Sequence, residues 1–316
     1  MRLDRWFKLH YPGVTHAHLS KLLRTGQVRV DGARAKTGTR LAAHQEVRVP
    51  PLKIEARPAE APRKAEPLSA AERKFFKSLV LYEDKDLFVL NKPSGLAVQG
   101  GTRTVRHVDR LLDGLGVEAK ERPRLVHRLD KDTSGVLVIA RRRAVAASLG
   151  KLFATRSVRK IYWALVRGVP KPPQGKVATP LVKTAGPEGD RVRAAAPGEQ
   201  EKARHATTHY AVIDQAANRL SWLSLKPVTG RQHQLRAHMA MLGHPILGDE
   251  KYGGYADLPA GVENRLHLHA RRISFPHPRG GTVDVTAPRP EHMRHSFALF
   301  GFDPEKYDRA AEEGAS

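Results

Sequence analysis

Leu125-Val126-His127-Arg128-Leu129-Asp130-Lys131-Asp132-Thr133-Ser134-Gly135-Val136-Leu137-Val138-Ile139-Ala140 is the stretch on which the reading of this chain turns. Its last five residues are apolar without interruption, the pattern of a buried strand. Immediately before them lie His127, Arg128, Asp130, Lys131 and Asp132. Charged groups at the entry to a buried strand must be paired or must act on a ligand, because unpaired buried charge is expensive. Asp130 and Asp132 stand two apart. On an extended segment both face one way, as in paired acid and base chemistry on a sugar; in a turn they diverge. Thr133-Ser134-Gly135 favours the turn, with Asp132 bonded to local backbone. Asp130 is then the carboxylate left to act as nucleophile or base, with a nearby Arg to keep it ionised and oriented.

Moving outward toward the C-terminus, residues 141–156 place Ala144, Val145, Leu149, Leu152 and Phe153 on one helical face. Residues 158–166 alternate as a strand, with Tyr162, Ala164 and Val166 on one side and Ile161, Trp163 and Leu165 on the other. Residues 170–205, rich in Pro, Gly, Lys and Arg, predict a basic, mobile hairpin or loop. Strands follow over 207–213 and 220–228. Leu235, Met239 and Leu242 then form the apolar stripe of a helix stopped by Gly243 and Pro245. Arg236 borders that stripe and is the candidate partner of Asp130. Further strands are expected over 266–275 and 282–285, a helix over 293–300, and a charged, disordered tail over 303–316.

Toward the N-terminus, Val80-Leu81-Tyr82 and Leu87-Phe88-Val89-Leu90 read as a hairpin around a polar turn. Residues 52–74 have the Pro, Ala, Glu and Lys composition of a linker. Before it, residues 1–51 form a separate basic module. It contains a helix with Leu3, Trp6 and Phe7, a second helix capped by Thr15 with Leu19, Leu22 and Leu23, and a hairpin turning at Asp31-Gly32. Lys21 and Arg24 lie off the second helix's apolar stripe, where they can meet phosphates, and Arg29 lies in the hairpin. The expected organisation is thus a module over 1–51, a linker over 52–74, a catalytic domain over 75–302 and a tail. Strands recur without regular intervening helices, which indicates a mixed α+β fold with a mainly antiparallel sheet and argues against a doubly wound parallel one.

The 316 residues carry a net charge of +23, with 40% apolar and 6% aromatic residues and no Cys. Such a charge implies an acidic partner, for a soluble protein usually nucleic acid. So few aromatics argue against a stacking platform for single strands and for phosphate contact plus shape. No apolar run reaches the ~18 residues of a membrane helix, and no basic amphipathic helix suits a membrane surface. The absence of Cys excludes disulfides and Cys-based zinc sites and, with no signal-peptide pattern, suggests a cytoplasmic protein. A His and carboxylate metal site would have to draw on His233, His238 and His244, on the later His267, His269, His292 and His295, and on Asp249, but the i,i+4 His pair of a helical zinc site is missing. No metal is expected. A metal-dependent nuclease and a non-catalytic RNA-binding assembly factor remain the rival readings.

Five ordered motifs resemble one family. They are Leu90-Asn91-Lys92-Pro93-Ser94-Gly95, His127 through Gly135, Arg156 through Gly168 with Lys160-Ile161-Tyr162, Gly230 through His238, and His244-Pro245-Ile246-Leu247-Gly248-Asp249 with Tyr252-Gly253. Together they resemble the RluA-type pseudouridine synthases, and the N-terminal module resembles the S4 RNA-binding domain. Within the family the chain is most like the C-type branch acting on large-subunit (23S) ribosomal RNA, with the D type as near neighbour. The resemblance implies the pseudouridine synthase fold with a small S4-like α/β RNA-binding module. It implies Asp130 as catalytic carboxylate, supported by Arg236 as its partner, Tyr162 stacking on an extruded uracil, Arg128 filling the gap in the RNA and Leu235 lining the pocket. Lys21, Arg24, Arg29, Lys92, Lys131, Arg231 and His233 are the expected RNA-binding residues. It also implies an isomerase without cofactors, acting as a monomer on ribosomal RNA and not on a membrane.

Overall fold

Residues Ser134–Ala140 are a strand buried at every position. Its side chains pack into one core with Phe76 and Leu79, Leu111 and Leu112, and Val145 and Leu149 from helical segments. In the computed structural model, residues 1–52, 66–100, 106–118, 121–155, 157–184, 190–255 and 258–307 are described. The chain divides into two units, Met1–Lys64 and Ala65–Ser316.

The first unit has helices α1 (Leu3–His10) and α2 (His16–Arg24). Its strands β1 (Arg29–Val30), β2 (Ala33–Arg34) and β3 (Val47–Arg48) form an antiparallel sheet in the order β2-β1-β3. The Thr15 hydroxyl accepts a hydrogen bond from the His18 N–H at 3.2 Å, capping α2 as its sequence predicts. Leu3, Phe7, Leu19, Leu22, Leu23, Val28 and Val30 make a core of its own.

The second unit begins with α3 (Ala70–Leu79), β4 (Val80–Glu83), β5 (Leu87–Lys92), α4 (Val108–Glu118), β6 (Arg124–Leu125), β7 (Ser134–Ala140) and α5 (Arg143–Ala154). Then come β8 (Arg159–Arg167), β9 (Gln174–Ala178), β10 (Leu181–Thr184), β11 (Arg191–Ala194), β12 (Thr207–Ala216), β13 (Leu220–Pro227) and α6 (Gln234–Met241). β14 (Leu268–Pro276), β15 (Thr282–Thr286) and α7 (Glu291–Leu299) complete it. One sheet runs β4-β5-β7-β14-β8-β13-β12-β9, with β15 added to β14 and β6 to β7. Only the β7–β14 pair is parallel, so the expectation of a mixed, mainly antiparallel α+β fold describes it. Gly135 lies at the β7–β14 contact with φ +108°, and a Cβ there would sit 2.2 Å from the Ala270 carbonyl oxygen. The odd face of β8 packs Trp163 and Leu165 with Trp222 and Phe297, and the even face packs Ala164 and Val166 with Leu235 and Met239.

Four expectations need correction. α3 starts inside the stretch read as linker: Ser69 and Glu72 form a reciprocal capping box that outweighs the polar composition around them. α4 went unread, although Val108, Leu111 and Leu112 form a fully buried stripe. The basic stretch over 170–205 does hold a hairpin, but it is docked by Leu181 and Val192 against Ala206 and Ala237, and the stretch also supplies a strand of the main sheet. Residues 185–189 of that stretch lie outside the described residues. The chain also stays packed past 302: Tyr307 sits 5.6 Å from the ring of Trp222 and 5.9 Å from that of Trp163. The rest of the expected tail, 308–316, lies outside the described residues.

Candidate active site

The loop between β6 and β7 carries Asp130, and two clasps fix its backbone. The β5–α4 segment reaches across to it: Gly95 N–H donates to the Lys131 carbonyl at 3.0 Å, and the Ser94 hydroxyl donates to the Asp132 carbonyl at 2.8 Å. Lys92 completes this clasp. It is fully buried, and its ammonium donates to the carbonyls of Pro93 (2.9 Å), Leu96 (2.8 Å) and Lys131 (2.8 Å). Burial pulls that ammonium down to about 7, against the opposing charges of Asp132 and Asp130. Lys92, expected as an RNA contact, is therefore a buried strut. On the other side, His127 Nε2 accepts a hydrogen bond from the Val138 N–H at 2.9 Å, and its ring stacks on Phe153 with centroids 4.5 Å apart. Burial, reinforced by Lys160, pushes His127 down to about 3, which keeps the ring the acceptor this bond requires. Asp132 is exposed, and it is fixed through its carbonyl rather than through its carboxylate.

Asp130 opens onto a cavity of about 650 Å³ that is also lined by Arg128, Tyr162, Arg231, Leu235 and Arg236. Tyr162 reaches it from the even face of β8, while α6 supplies Leu235 and Arg236. The N-terminus of α6 is held through Gln234, whose amide donates to the Thr207 carbonyl at 2.9 Å and the Thr208 hydroxyl at 3.0 Å. Gln234 Oε1 accepts from the Thr229 hydroxyl at 2.6 Å and from the Arg231 N–H at 3.1 Å. Burial first, and then the charge of Asp130, raise the Tyr162 phenol, so the side chain on the cavity wall stays neutral.

The expected Arg236–Asp130 pair takes a different form. Arg236 is 5% exposed and bidentate to Asp249, which is fully buried, through Nε and Nη2 at 2.7 Å each. Its remaining Nη1 stands 4.0 Å from Asp130 Oδ2. Burial lowers the guanidinium, but the hydrogen bonds and charge of Asp249, followed by the charge of Asp130, leave it raised and so permanently charged. Sequence reasoning weighed Asp249 only as a metal ligand. Its signal was a lone carboxylate inside the apolar turn Ile246-Leu247-Gly248-Asp249. That turn needs Gly248, which has φ +70°, and a Cβ there would fall 1.9 Å from the Arg265 carbonyl oxygen. Asp249 Oδ1 also accepts from the N–H groups of Lys251 (3.0 Å) and Tyr252 (3.2 Å). With both oxygens of Asp249 committed to holding the guanidinium, Asp130 is steered by Arg236 without being closed off by it.

Tyr252 supports this pair from below. The Arg236 guanidinium lies 5.3 Å from the Tyr252 ring centroid, and the Tyr252 hydroxyl accepts from the Val192 N–H at 2.8 Å. The β10–β11 hairpin is thereby tied to the site. His233, expected on RNA, is buried with φ +49°, and its Nδ1 lies 3.1 Å from the Tyr252 hydroxyl. Arg29 is half-buried and donates to the carbonyls of Gly26 (3.2 Å) and Gly32 (3.0 Å). Lys21, Arg24, Arg128, Lys131 and Arg231 are exposed, as phosphate contacts must be, although Arg231 Nε also donates to the His205 carbonyl at 3.0 Å. The buried histidines go to backbone and hydroxyl partners: His238 to Thr208, His267 to Arg265 and Ser296, and His269 to Ser134 and Ala287. Among the described residues only Asp84, Asp86 and His277 bring metal-ligating atoms together. Asp86 there already pairs with Arg142 and Arg279, so the cluster reads as an ion-pair network.

Comparison with known proteins places this geometry among its relatives. Residues 86–241 match the family described as RNA pseudouridylate synthase. The chain is 36% identical to the ribosomal large subunit pseudouridine synthase C of Escherichia coli K12, over 93% of this chain and 91% of that protein. It is 34% identical to RNA pseudouridine synthase 4, mitochondrial, of Arabidopsis thaliana, over 96% of this chain and 80% of the relative. Among solved structures it is similar to human RNA pseudouridylate synthase domain containing 4, with a TM-score of 0.60 and 31% identity over 72% of this chain and 96% of that one. Human RNA pseudouridylate synthase domain containing 1 follows with a TM-score of 0.54 and 29% identity.

Proposed function

The chain belongs to the RNA pseudouridylate synthase family and is an isomerase, and from that premise we propose that it converts specific uridines of large-subunit ribosomal RNA to pseudouridine with Asp130 as the catalytic carboxylate. The observation that carries this reading is the placement of Asp130: on the wall of the cavity shared with Tyr162, with Arg236 Nη1 4.0 Å away and held there by Asp249. A uridine inside a folded RNA cannot reach such a wall, so it is extruded into the cavity. The neutral Tyr162 ring offers its face to the uracil, and Leu235 closes the apolar side. Arg128, exposed at the cavity rim, takes the space the base has left. Asp130 acts at the ribose or the base, by attack on the anomeric carbon, by removal of a ribose proton or by addition to the ring. In each route the bond from the anomeric carbon to N1 breaks and a bond to C5 forms. C5 finally gives up its hydrogen and N1 regains one, so the atoms balance without a co-substrate.

The substrate class is carried by the Escherichia coli relative's name together with the +23 charge of this chain. The first unit, two helices with a three-stranded sheet and exposed Lys21 and Arg24, acts in this reading as an S4-like RNA-binding module ahead of a catalytic domain. A cytoplasmic site of action is our reading for this chain, beside the mitochondrial name of the Arabidopsis relative. Pseudouridine mapping of ribosomal RNA from cells with and without the protein tests the assignment. One or more large-subunit positions are expected to lose the modification, whereas an unchanged large-subunit map together with a loss elsewhere refutes the substrate.

A further inference from the structure

Lys160 sits two residues before Tyr162 on β8, and positions two apart on a strand share a face about 6.6–7 Å from one another. It lines the same cavity as Asp130, beside His127 and Phe153. The two other buried cations near Asp130 already have partners. Lys92 is spent on three carbonyls, and Arg236 is spent on Asp249 and faces Asp130. Lys160 makes no hydrogen bond or ion pair among the described residues, although it is half-buried. Its neighbour His127 offers no acceptor at Nε2, whose lone pair is taken by the Val138 N–H. Partial burial without a counter-ion strips an ammonium of part of its hydration. A ligand can supply the missing charge.

We propose that Lys160 receives a phosphate of the bound RNA flanking the extruded nucleotide, which makes it a substrate-positioning residue at the Phe153 end of the cavity. This rests on the reading of the chain as a pseudouridine synthase. A phosphodiester fits better than a uracil carbonyl, because a neutral carbonyl fills one donor position but leaves the positive charge unbalanced. The spacing supports the same assignment: with the base against Tyr162, a cation one strand step further along is within reach of the sugar-phosphate backbone that carries it. Arg128, exposed on the same cavity, adds a second positive group along that path. Burial alone lowers the ammonium, and a phosphate beside it acts in the opposite direction.

The test uses the full-length protein and an unmodified large-subunit ribosomal RNA transcript carrying tritium at uridine C5, which pseudouridine formation releases. Lys160→Met and Lys160→Arg are compared with the parent protein for kcat, KM and the salt dependence of KM. The account expects Lys160→Met to raise KM about tenfold with kcat within about twofold, as befits loss of one charge-assisted bond made equally in ground and transition states. The slope of log KM against log salt should fall by about one, and Lys160→Arg should restore both. Unchanged KM and slope in Lys160→Met overturn the proposal. So does a collapse of kcat at unchanged KM, which would place the ammonium on the reacting base. Should Lys160→Met fail to fold, Lys160→Arg with a flattened salt slope also overturns it. Failure of the underlying reading looks different: the parent protein itself then releases no tritium.

Discussion

At the scale of single residues, the site is organised by a buried carboxylate that is not on the cavity wall. Asp249 holds Arg236 by two 2.7 Å bonds and leaves one guanidinium nitrogen 4.0 Å from Asp130. Asp249→Asn keeps the shape but removes the buried charge that holds the Arg236 guanidinium at 2.7 Å and leaves Asp130 as the remaining carboxylate beside it. We expect a loss of about 3–5 kcal/mol in stability, read by denaturant titration, and a tritium-release rate far below the parent's, because Arg236 is then free to close on Asp130. Retention of both stability and rate would show that the pair is dispensable. Tyr252→Phe removes the hydroxyl that the Val192 N–H reaches. It should cost about 1–3 kcal/mol with a smaller loss of rate. Asp130, Tyr162, Leu235 and Arg236 line one cavity; Asp130 stood out in the sequence from its dense polar cluster and Arg236 from its place beside an apolar stripe, whereas Tyr162 and Leu235 came through the family resemblance. Lys92 and His233 were misread for a physical reason. A lysine after an apolar strand and a histidine before a helix look like surface cations, and only the fold shows that carbonyls surround the one and a tyrosine covers the other.

At the scale of elements, β7 was readable because its apolar run admits no other placement, and β8 because its two faces alternate cleanly between Trp163 and Ala164 neighbours. α4 was not, because Gly114 and Gly116 interrupt the helical propensity that its buried stripe otherwise supports. The hairpin of β10 and β11 was read as mobile from its charge. Two apolar residues, Leu181 and Val192, suffice to dock it, and composition averages over so sparse an anchor. The crossing of β7 and β14 depends on backbone approach at Gly135. Gly135→Ala puts a Cβ into the Ala270 carbonyl at a left-handed φ, and should destabilise the chain by at least ~2 kcal/mol, seen as a lowered Tm. An unchanged Tm would mean that the two strands part without cost.

At the scale of the whole molecule, charge and buried histidine set the response to solution conditions. His238, His267 and His269 are fully buried, and burial pushes them down to about 4, 4 and 3. The unfolded chain takes up these protons near pH 6.5, while the folded chain resists until its own lower values. The stability they contribute is therefore complete above about pH 6.5 and is lost as pH falls toward 4, at about 1.4 kcal/mol per histidine per pH unit. Denaturant midpoints measured between pH 7 and pH 5 should fall accordingly, and a flat profile would contradict neutral burial. The +23 charge predicts RNA affinity that drops steeply with salt. The division into a small basic unit and a large sheet-based one was visible as a change of composition between them. What one does for the other was not, since that depends on the RNA both would hold. The central claim is that Asp130 performs the chemistry, and replacing it with Asn tests this with least disturbance. Tritium release from the large-subunit transcript should disappear in Asp130→Asn while RNA affinity stays within about threefold of the parent's; release at the parent's rate would contradict the account.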